Sequence, residues 1–215
     1  MATKHETLDN FCSQLAAGTP APGGGAAAAV AGAMGAALVS MVAGLTLGRE
    51  KYAGVQAEMA ELQVTGRSEV EALFTCADED QTAFNAVMAA FALPKGTDEE
   101  KAQRQQAVQA GYRQATEAPL KTMAHGLLVM RVALAAANRG NTNALSDAYV
   151  AYLTAAASFE GALWNVAINL GSLKDEGYRQ RVVETVARLR AERDEVAAAM
   201  QALTPDPVAR FLART

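Results

Sequence analysis

The chain has 215 residues, of which 51% are hydrophobic but only 6% aromatic, so alanine supplies much of the apolar content. Alanine is the best helix former and adds little bulk, which favours closely packed helices within a single domain of this length. The formal net charge of -4 argues against nucleic-acid binding, which requires clustered Lys and Arg to neutralise phosphates.

The first predicted element is a short amphipathic helix that ends near Gly18. Thr3 and Glu6 fit a capping box for it. Apolar side chains then follow at the i, i+3, i+4 and i+7 spacing of one helical face: Leu8, Phe11, Cys12 and Leu15. Cys12 and Cys76 form no metal-type pair, so both are predicted to be reduced thiols in the core of a cytoplasmic protein.

Residues 19–25, TPAPGGG, contain two prolines and three glycines and are predicted to be irregular. The uncharged stretch from Gly23 to Gly48 is long enough to span a membrane, for which about 20 residues suffice. Its first half is almost entirely Ala and Gly, and the remaining chain has the composition of a soluble protein. We therefore predict a buried core helix over residues 26–47, with no membrane partner.

A long helical region is predicted over residues 50–93, bent near Gly66. One face of it carries apolar residues spaced by threes and fours: Leu73, Ala77, Phe84, Val87 and Phe91. The step from Ala77 to Phe84 skips one position of this face, and Asp80 lies at that position. A carboxylate in an apolar stripe is expected to have a raised pKa or a ligand contact, although a core carboxylate paired with a buried Arg or Lys has the same pattern.

Four further helices complete the predicted fold. Thr97 and Glu100 form a capping box for a charged helix that ends near Glu117, and Pro119 begins the next one. The last two helices cover residues 144–170 and 175–203. Beside an apolar face, the first of these two carries a second row of small or polar residues: Asp147, Thr154, Ser158, Gly161 and Asn165. With no period-2 pattern, the prediction is all-α: a single-domain bundle of six or seven helices without strands.

Several familiar catalytic sites are missing from the sequence. His5 and His125 have no second metal ligand nearby, and PGGG lacks the lysine and hydroxyl of a P-loop. From the residues alone, Lys51 is better explained as a solvated lysine, and Asp147 as a carboxylate that suits the dipole at the start of its helix. The glycines either expose N–H groups to an anion or allow a tight helix entry. The residues alone therefore indicate a helical bundle with some buried polar groups.

Four stretches resemble the formiminotetrahydrofolate cyclodeaminase and methenyltetrahydrofolate cyclohydrolase family, in the family's order and over nearly the whole chain. They are TPAPGGGAAAAVAGAMGAALVSMVAGLTLGREKY, DEDQTAFNAVMAAFALPKGTDEEKAQR, GNTNALSDAYVA and FEGALWNVAINLGSLKD. The motif PGGG alone is common among proteins, whereas the four motifs in this order are specific to the family. One small departure is Ala148, where the family often has glycine after SD.

The resemblance implies one helical domain over residues 1–215 that forms a homodimer, binds a folate in a cleft and uses no metal or nucleotide. The cyclohydrolase reaction, which interconverts 5,10-methenyl-tetrahydrofolate and 10-formyl-tetrahydrofolate, is favoured because no formiminotransferase domain is fused to it. The cyclodeaminase, which closes 5-formimino-tetrahydrofolate and releases ammonia, is the alternative. A non-catalytic helical oligomerisation protein is the distant alternative, and it leaves Asp80 and the ordered motifs unexplained.

The resemblance also suggests roles for individual residues. Asp80 is the predicted acid–base group, and Lys51 would orient the water or stabilise the tetrahedral oxygen. Asn143 and Asp147 would hold the pterin edge. Tyr52 is a further predicted substrate-binding residue. The glutamate tail would be met either by Lys95 or by the glycines Gly23, Gly24 and Gly25.

Overall fold

The computed structural model describes residues 3–204 and 206, and this part of the chain contains six α-helices and no strand. The helices are α1 (Leu8–Ala16), α2 (Gly24–Thr46), α3 (Gln56–Phe91), α4 (Asp98–Arg139), α5 (Leu145–Leu170) and α6 (Glu176–Leu203). Short 3-10 turns cover Thr3–His5, Glu50–Val55 and Thr142–Ala144. The predicted all-α fold is confirmed.

Helices α2 to α5 form a four-helix bundle in which each packs against the next and α5 packs back on α2. Small residues bring their backbones into near contact. A Cβ on Gly66 of α3 would lie 2.7 Å from the carbonyl oxygen of Ala36 in α2, so no side chain fits there. Gly161 lies opposite Ala28, and Gly35 lies opposite the Ala151 carbonyl, so α2 and α5 run antiparallel. Helix α6 packs on α4.

Helices α2 and α4 each contain an apolar stretch that is long enough to cross a membrane by length and composition. In α2, 56% of that stretch is buried inside the bundle, and Ala29, Val39 and Val42 have no exposed surface. An apolar helix surrounded by protein on several sides has the pattern expected of a core helix. The structure therefore agrees with the prediction of a buried helix at this position.

The capping box predicted at Thr3 and Glu6 is wrong. Helix α1 begins later and is capped by Thr7, whose side-chain oxygen accepts the Asn10 N–H at 3.2 Å. Thr3 instead donates to Asp78 Oδ1 of α3, from its backbone nitrogen at 2.8 Å and from its hydroxyl at 2.7 Å. A tertiary partner therefore takes the hydroxyl that the local pattern assigned to a helix cap.

Both cysteines are free thiols in the structure. Cys76 of α3 is buried, as predicted. Cys12 is exposed, so the prediction that Cys12 lies in the core is wrong. The reason is that α1 buries only Phe11 and leaves the adjacent side chain facing solvent.

The helix boundary predicted at Pro119 is also wrong, because α4 continues through it as one 42-residue helix. Proline has no N–H to donate to the carbonyl of Ala115, four residues earlier. Asn169 of α5 replaces that donor, and its Nδ2 lies 2.5 Å from the Ala115 oxygen. This hydrogen bond satisfies the freed carbonyl, so the helix continues where local rules predicted a new one.

Candidate functional site

A cavity of about 390 Å³ lies where the amino-terminal end of α2 meets α3, α4 and α5. This volume lies within the range of small-molecule sites. Its polar lining comes from Asp80 and Gln81 of α3, Asn165 and Asn169 of α5, and the backbone of Gly23, Gly24 and Gly25. Its apolar wall includes Phe84, Val87, Met88, Phe91, Tyr112 and Ile168. The cavity therefore combines a large apolar surface with a few convergent polar groups.

The Asp80 carboxyl lies directly against the first turn of α2. A Cβ on Gly25 would lie 2.5 Å from Asp80 Cγ and 2.6 Å from Oδ2, and it would also overlap Oδ1. Only glycine therefore allows the carboxyl to occupy this position. The backbone N–H of Ala26 donates a hydrogen bond to it. The structure thus brings together two features predicted separately from the sequence, the carboxylate and the glycine run.

Burial raises the pKa of the Asp80 carboxyl, and the hydrogen bond from Ala26 offsets part of that rise. No Lys or Arg in the described part of the chain forms an ion pair with Asp80. The alternative of a core carboxylate paired with a buried cation is therefore wrong. An acid whose pKa is raised by burial, at the wall of a cavity, is suited to accept a proton and return it.

Three side-chain amides in this cavity were not predicted as site residues. Asn165 donates to a carbonyl of its own helix at 2.8 Å, Asn169 to the α4 carbonyl freed by Pro119, and Gln81 to the Thr3 hydroxyl at 3.0 Å. Each amide oxygen has no hydrogen-bond partner among the described residues and is available to a ligand. Asn165 belonged to the polar row recognised in the sequence, whereas no local pattern marks Asn169.

A second group of predicted residues lies at the opposite, carboxyl-terminal end of α2. The Tyr52 hydroxyl oxygen accepts the backbone N–H of Thr142 at 3.0 Å, and Lys51 Nζ lies 5.3 Å from the Tyr52 ring centroid. Hydrogen bonds with Thr142, and to a smaller extent Lys51, lower the pKa of Tyr52. Asn143 is exposed and lies in the 3-10 turn Thr142–Ala144. Asp147 is half-buried and lies in the first turn of α5.

Asn141 connects this second group to α2. Its backbone N–H donates to the hydroxyl of Thr46 at 2.8 Å, and its side chain donates to the carbonyl of Leu45 at 3.1 Å. The 23 residues of α2 rise 1.5 Å each, so the two ends of the helix lie about 34 Å apart. A single chain therefore does not bring Lys51 to Asp80.

Lys95 occupies a third location, in the exposed loop between α3 and α4. It lines a separate groove that shares Phe91 with the cavity. Within residues 3–204 and 206, no three His, Cys, Asp or Glu side chains converge as candidate metal ligands. His125 instead contacts the buried Glu69, with Nδ1 2.6 Å from Oε2.

Comparison with known proteins gives a consistent set of relatives. A profile of the family described as Formiminotransferase-cyclodeaminase matches residues 7–188. The chain is 41% identical over 188 residues to a methenyltetrahydrofolate cyclohydrolase of Methylorubrum extorquens, covering 87% of this chain and 90% of that one. It is 34% identical to a formimidoyltransferase-cyclodeaminase of Mus musculus, covering 86% of this chain and 34% of that one. The crystal structure of a formiminotetrahydrofolate cyclodeaminase from Thermotoga maritima superposes with a TM-score of 0.86 at 28% identity, covering 95% of this chain and 98% of that one.

Proposed function

Because the chain belongs to the formiminotransferase-cyclodeaminase family, we propose that it is a methenyltetrahydrofolate cyclohydrolase with Asp80 as its acid–base residue. The similarity to the Methylorubrum extorquens cyclohydrolase extends over most of both chains and supports this choice of reaction. The observation that carries the proposal is the buried Asp80 carboxyl at the wall of a cavity large enough for a small molecule, with no cationic partner in residues 3–204 and 206.

The substrate matches the site in charge. The bridging carbon of 5,10-methenyl-tetrahydrofolate belongs to an amidinium cation, and a carboxylate beside it stabilises that charge. The same cation would be a desolvated partner for Asp80, which forms no ion pair with the residues that the structure describes. The amides of Asn165 and Gln81 offer hydrogen-bonding groups for the amide and amino edge of a pterin.

One carboxyl with a raised pKa can perform both proton transfers of the reaction. As water attacks the methenyl carbon, Asp80 accepts one of its protons, and a neutral tetrahedral adduct forms. Asp80 then gives a proton to N5, the bond from carbon to N5 breaks, and the hydroxyl proton leaves as the formyl group forms on N10. Overall, one water is consumed and one proton is released. Because the attacked carbon is already cationic, we propose that no metal or nucleotide is required, and activity should persist in EDTA.

We further propose that the protein works as a homodimer. Helices α2 and α5, which pack against each other, both expose large apolar side chains: Met34, Met41, Leu45, Val150, Leu153, Trp164 and Ile168. Trp164 is 76% exposed and Ile168 is 75% exposed, although both are large and apolar. Such a patch on a two-helix face is typical of an interface between subunits. The free thiols of Cys12 and Cys76 suit the reducing cytoplasm, where we place the protein.

An antiparallel dimer on this face would also explain why the candidate residues form two groups. A two-fold axis near the middle of α2 sets the amino-terminal end of one α2 beside the carboxyl-terminal end of the other. Lys51 and Tyr52 of the partner subunit then approach the cavity that holds Asp80. Each dimer would contain two such sites, and each site would use residues from both chains.

Mixing inactive variants tests this arrangement. Asp80→Asn and Lys51→Gln should each be inactive as homodimers. After random exchange of subunits, about half of the dimers are mixed and each carries one intact site, so activity should return to about a quarter of the wild-type value. Asp80→Asn mixed with Gly25→Ala is the matched control, because both changes lie in the same half-site and no activity should return. Equal recovery in both mixtures, or in neither, would contradict the shared site.

The reaction itself is tested by following the near-ultraviolet absorbance of 5,10-methenyl-tetrahydrofolate. Rapid, protein-dependent loss in the presence of EDTA is expected. The alternative activity is that of a cyclodeaminase, and the observation in its support is the structural similarity to the Thermotoga maritima protein. Absent cyclohydrolysis together with ammonia release from 5-formimino-tetrahydrofolate would move the assignment to that reaction. Absence of both activities would refute a folate enzyme.

A further inference from the structure

Three side-chain amides of the described chain line the Asp80 cavity, and the protein fixes the direction of each one. An Asn or Gln amide has an oxygen that only accepts hydrogen bonds and a nitrogen that only donates them. The Asn165 nitrogen donates to the Gly161 carbonyl of the preceding helical turn at 2.8 Å. Because a carbonyl cannot donate, the opposite orientation would bring two oxygens together. The Asn165 oxygen, which has no partner in the part of the chain that the structure describes, is therefore left for a ligand.

The direction of the Asn169 amide depends on a proline in the neighbouring helix. Pro119 is buried in the middle of α4 and has no N–H, so the Ala115 carbonyl lacks its usual helical donor. Asn169 Nδ2 lies 2.5 Å from that carbonyl oxygen and takes the place of the missing N–H. Both Ala115 and Asn169 line the cavity. The proline thereby commits the nitrogen of Asn169 to the protein and leaves its oxygen for a ligand.

The direction of the Gln81 amide is fixed by a relay of two residues. The Thr3 hydroxyl donates to Asp78 Oδ1 at 2.7 Å, since an ionised carboxylate can only accept. The Thr3 oxygen is then left as an acceptor, and Gln81 Nε2 donates to it at 3.0 Å. Thr3 is only 5% exposed, so water has little access to this relay. The Gln81 oxygen is therefore also the end of its amide that a ligand can use.

The three amides thus present hydrogen-bond acceptors to the cavity, whereas N–H donors lie on another side, at the start of α2. A ligand that satisfies several acceptors must carry several N–H groups along one edge. The pterin ring of a reduced folate has such an edge, formed by N3–H and the adjacent 2-amino group. The direction of the amides therefore matches the donor edge of this ring.

We propose that Asn165, Asn169 and Gln81 accept hydrogen bonds from N3–H and the 2-amino group of the pterin, and that Pro119 and Thr3 are positioning residues for two of these amides. This proposal rests on the proposed function, because it assigns the amides to the same substrate. An amide that is already fixed does not have to be ordered on binding. Each fixed amide should therefore raise the affinity for the pterin by about two- to tenfold.

The test compares tetrahydrofolate with an analogue that carries a methyl group in place of the 2-amino group, by calorimetric titration. The wild type should bind tetrahydrofolate about tenfold more tightly, because the methyl group leaves an amide oxygen without a donor. In the double variant Thr3→Val/Pro119→Ala, both amides can turn, and this preference should fall by about twofold or more. The matched control is Thr82→Val/Pro94→Ala, which makes the same changes at two exposed positions outside the cavity lining. The control should keep the wild-type preference.

Turnover of 5,10-methenyl-tetrahydrofolate supplies a second readout. The amides bind the pterin edge and not the reacting carbon, so Thr3→Val/Pro119→Ala should raise KM by about fourfold or more and keep kcat within about twofold. Alanine is a better helix residue than proline, so the change in α4 should not prevent folding. A fall in kcat at unchanged KM would overturn the positioning role. An unchanged preference in this variant, or an equal fall in the control, would overturn it as well.

The direction of the Asn169 amide is also tested without any substrate. Its side-chain N–H protons should exchange slowly with water in the wild type, as followed by nitrogen-15 NMR, and about tenfold faster in Pro119→Ala. Equal exchange rates would overturn the proposal even for an active enzyme. Absence of both turnover and tetrahydrofolate binding would refute the proposed function, and with it the pterin as the ligand. Faster exchange in Pro119→Ala would still support the positioning role of Pro119.

Discussion

Replacing Gly25 by alanine would place a methyl group where the Asp80 carboxyl now lies. The added Cβ would be 2.5 Å from Asp80 Cγ and 2.6 Å from Oδ2, whereas ordinary contacts of this kind exceed 3.4 Å. The carboxyl must therefore move by about 1 Å, which breaks its hydrogen bond from Ala26. Overpacking costs about 1–3 kcal/mol, and alanine recovers up to about 1 kcal/mol through helix propensity, so the net loss in unfolding free energy should be about 0–3 kcal/mol.

The same displacement should also lower the catalytic rate. A catalytic group displaced by about 1 Å typically loses about 10²-fold in rate, so kcat for Gly25→Ala should fall by about that factor. Gly24→Ala is the matched control in the same helical turn, because its Cβ would meet only Asn165 Nδ2, at the ordinary distance of 3.8 Å. Urea unfolding and the methenyl-tetrahydrofolate absorbance assay measure the two quantities. A Gly25→Ala protein with wild-type kcat would refute the reasoning.

Three further predictions concern stability. Asp80→Asn should raise the unfolding free energy at pH 7.5 more than at pH 4. Burial raises the pKa of Asp80, so its ionisation destabilises the fold as pH rises above about 3.9. An equal change in unfolding free energy at both pH values, measured by urea unfolding, would contradict this. Asn169→Ala should cost about 1–3 kcal/mol, and less in a Pro119→Ala background, where the missing N–H is restored; an additive double-mutant cycle would exclude this coupling. The hydrogen bond that His125 donates to Glu69 raises the pKa of His125, so the pair stabilises the fold fully below about pH 6.5 and loses this contribution as pH rises through the folded-state pKa. His125→Gln should therefore lower Tm more at pH 5.5 than at pH 9, and a larger loss at pH 9 would disprove it.

The sequence carried enough information for the fold and for part of the candidate site. The alanine and glycine content of α2 predicted a closely packed core helix, and the interruption of an apolar stripe identified Asp80. Both patterns are local consequences of helical periodicity and remain visible without coordinates. The pattern did not predict that Gly25 contacts Asp80, because the two residues lie 55 positions apart in the sequence.

Two of the predictions that failed share a physical cause. Thr3 and Pro119 obey local rules for a helix start, but each has a tertiary partner that changes the outcome. Asp78 binds Thr3, and Asn169 satisfies the carbonyl that Pro119 leaves without a donor. Such partners lie far away in the sequence, so no local spacing predicts them.

The separation of Lys51 from Asp80 was equally invisible in the sequence. Motif order places both residues in one family pattern, but it contains no distance, and the length of α2 keeps them apart within one chain. The exposed apolar surface that includes Trp164 and Ile168 supplies the reason to consider a second copy. A site formed by two chains is a property of the assembly, which periodicity within one chain does not describe.

The most direct test of the central claim is the rate at which Asp80→Asn consumes 5,10-methenyl-tetrahydrofolate, measured beside the wild type at the same pH. Asparagine keeps the shape and can still accept the Ala26 N–H, so the variant should fold and bind, but it cannot transfer the protons. We expect rapid turnover by the wild type and a fall of about 10²- to 10⁴-fold in kcat for the variant. A folded Asp80→Asn protein with wild-type kcat would contradict the account.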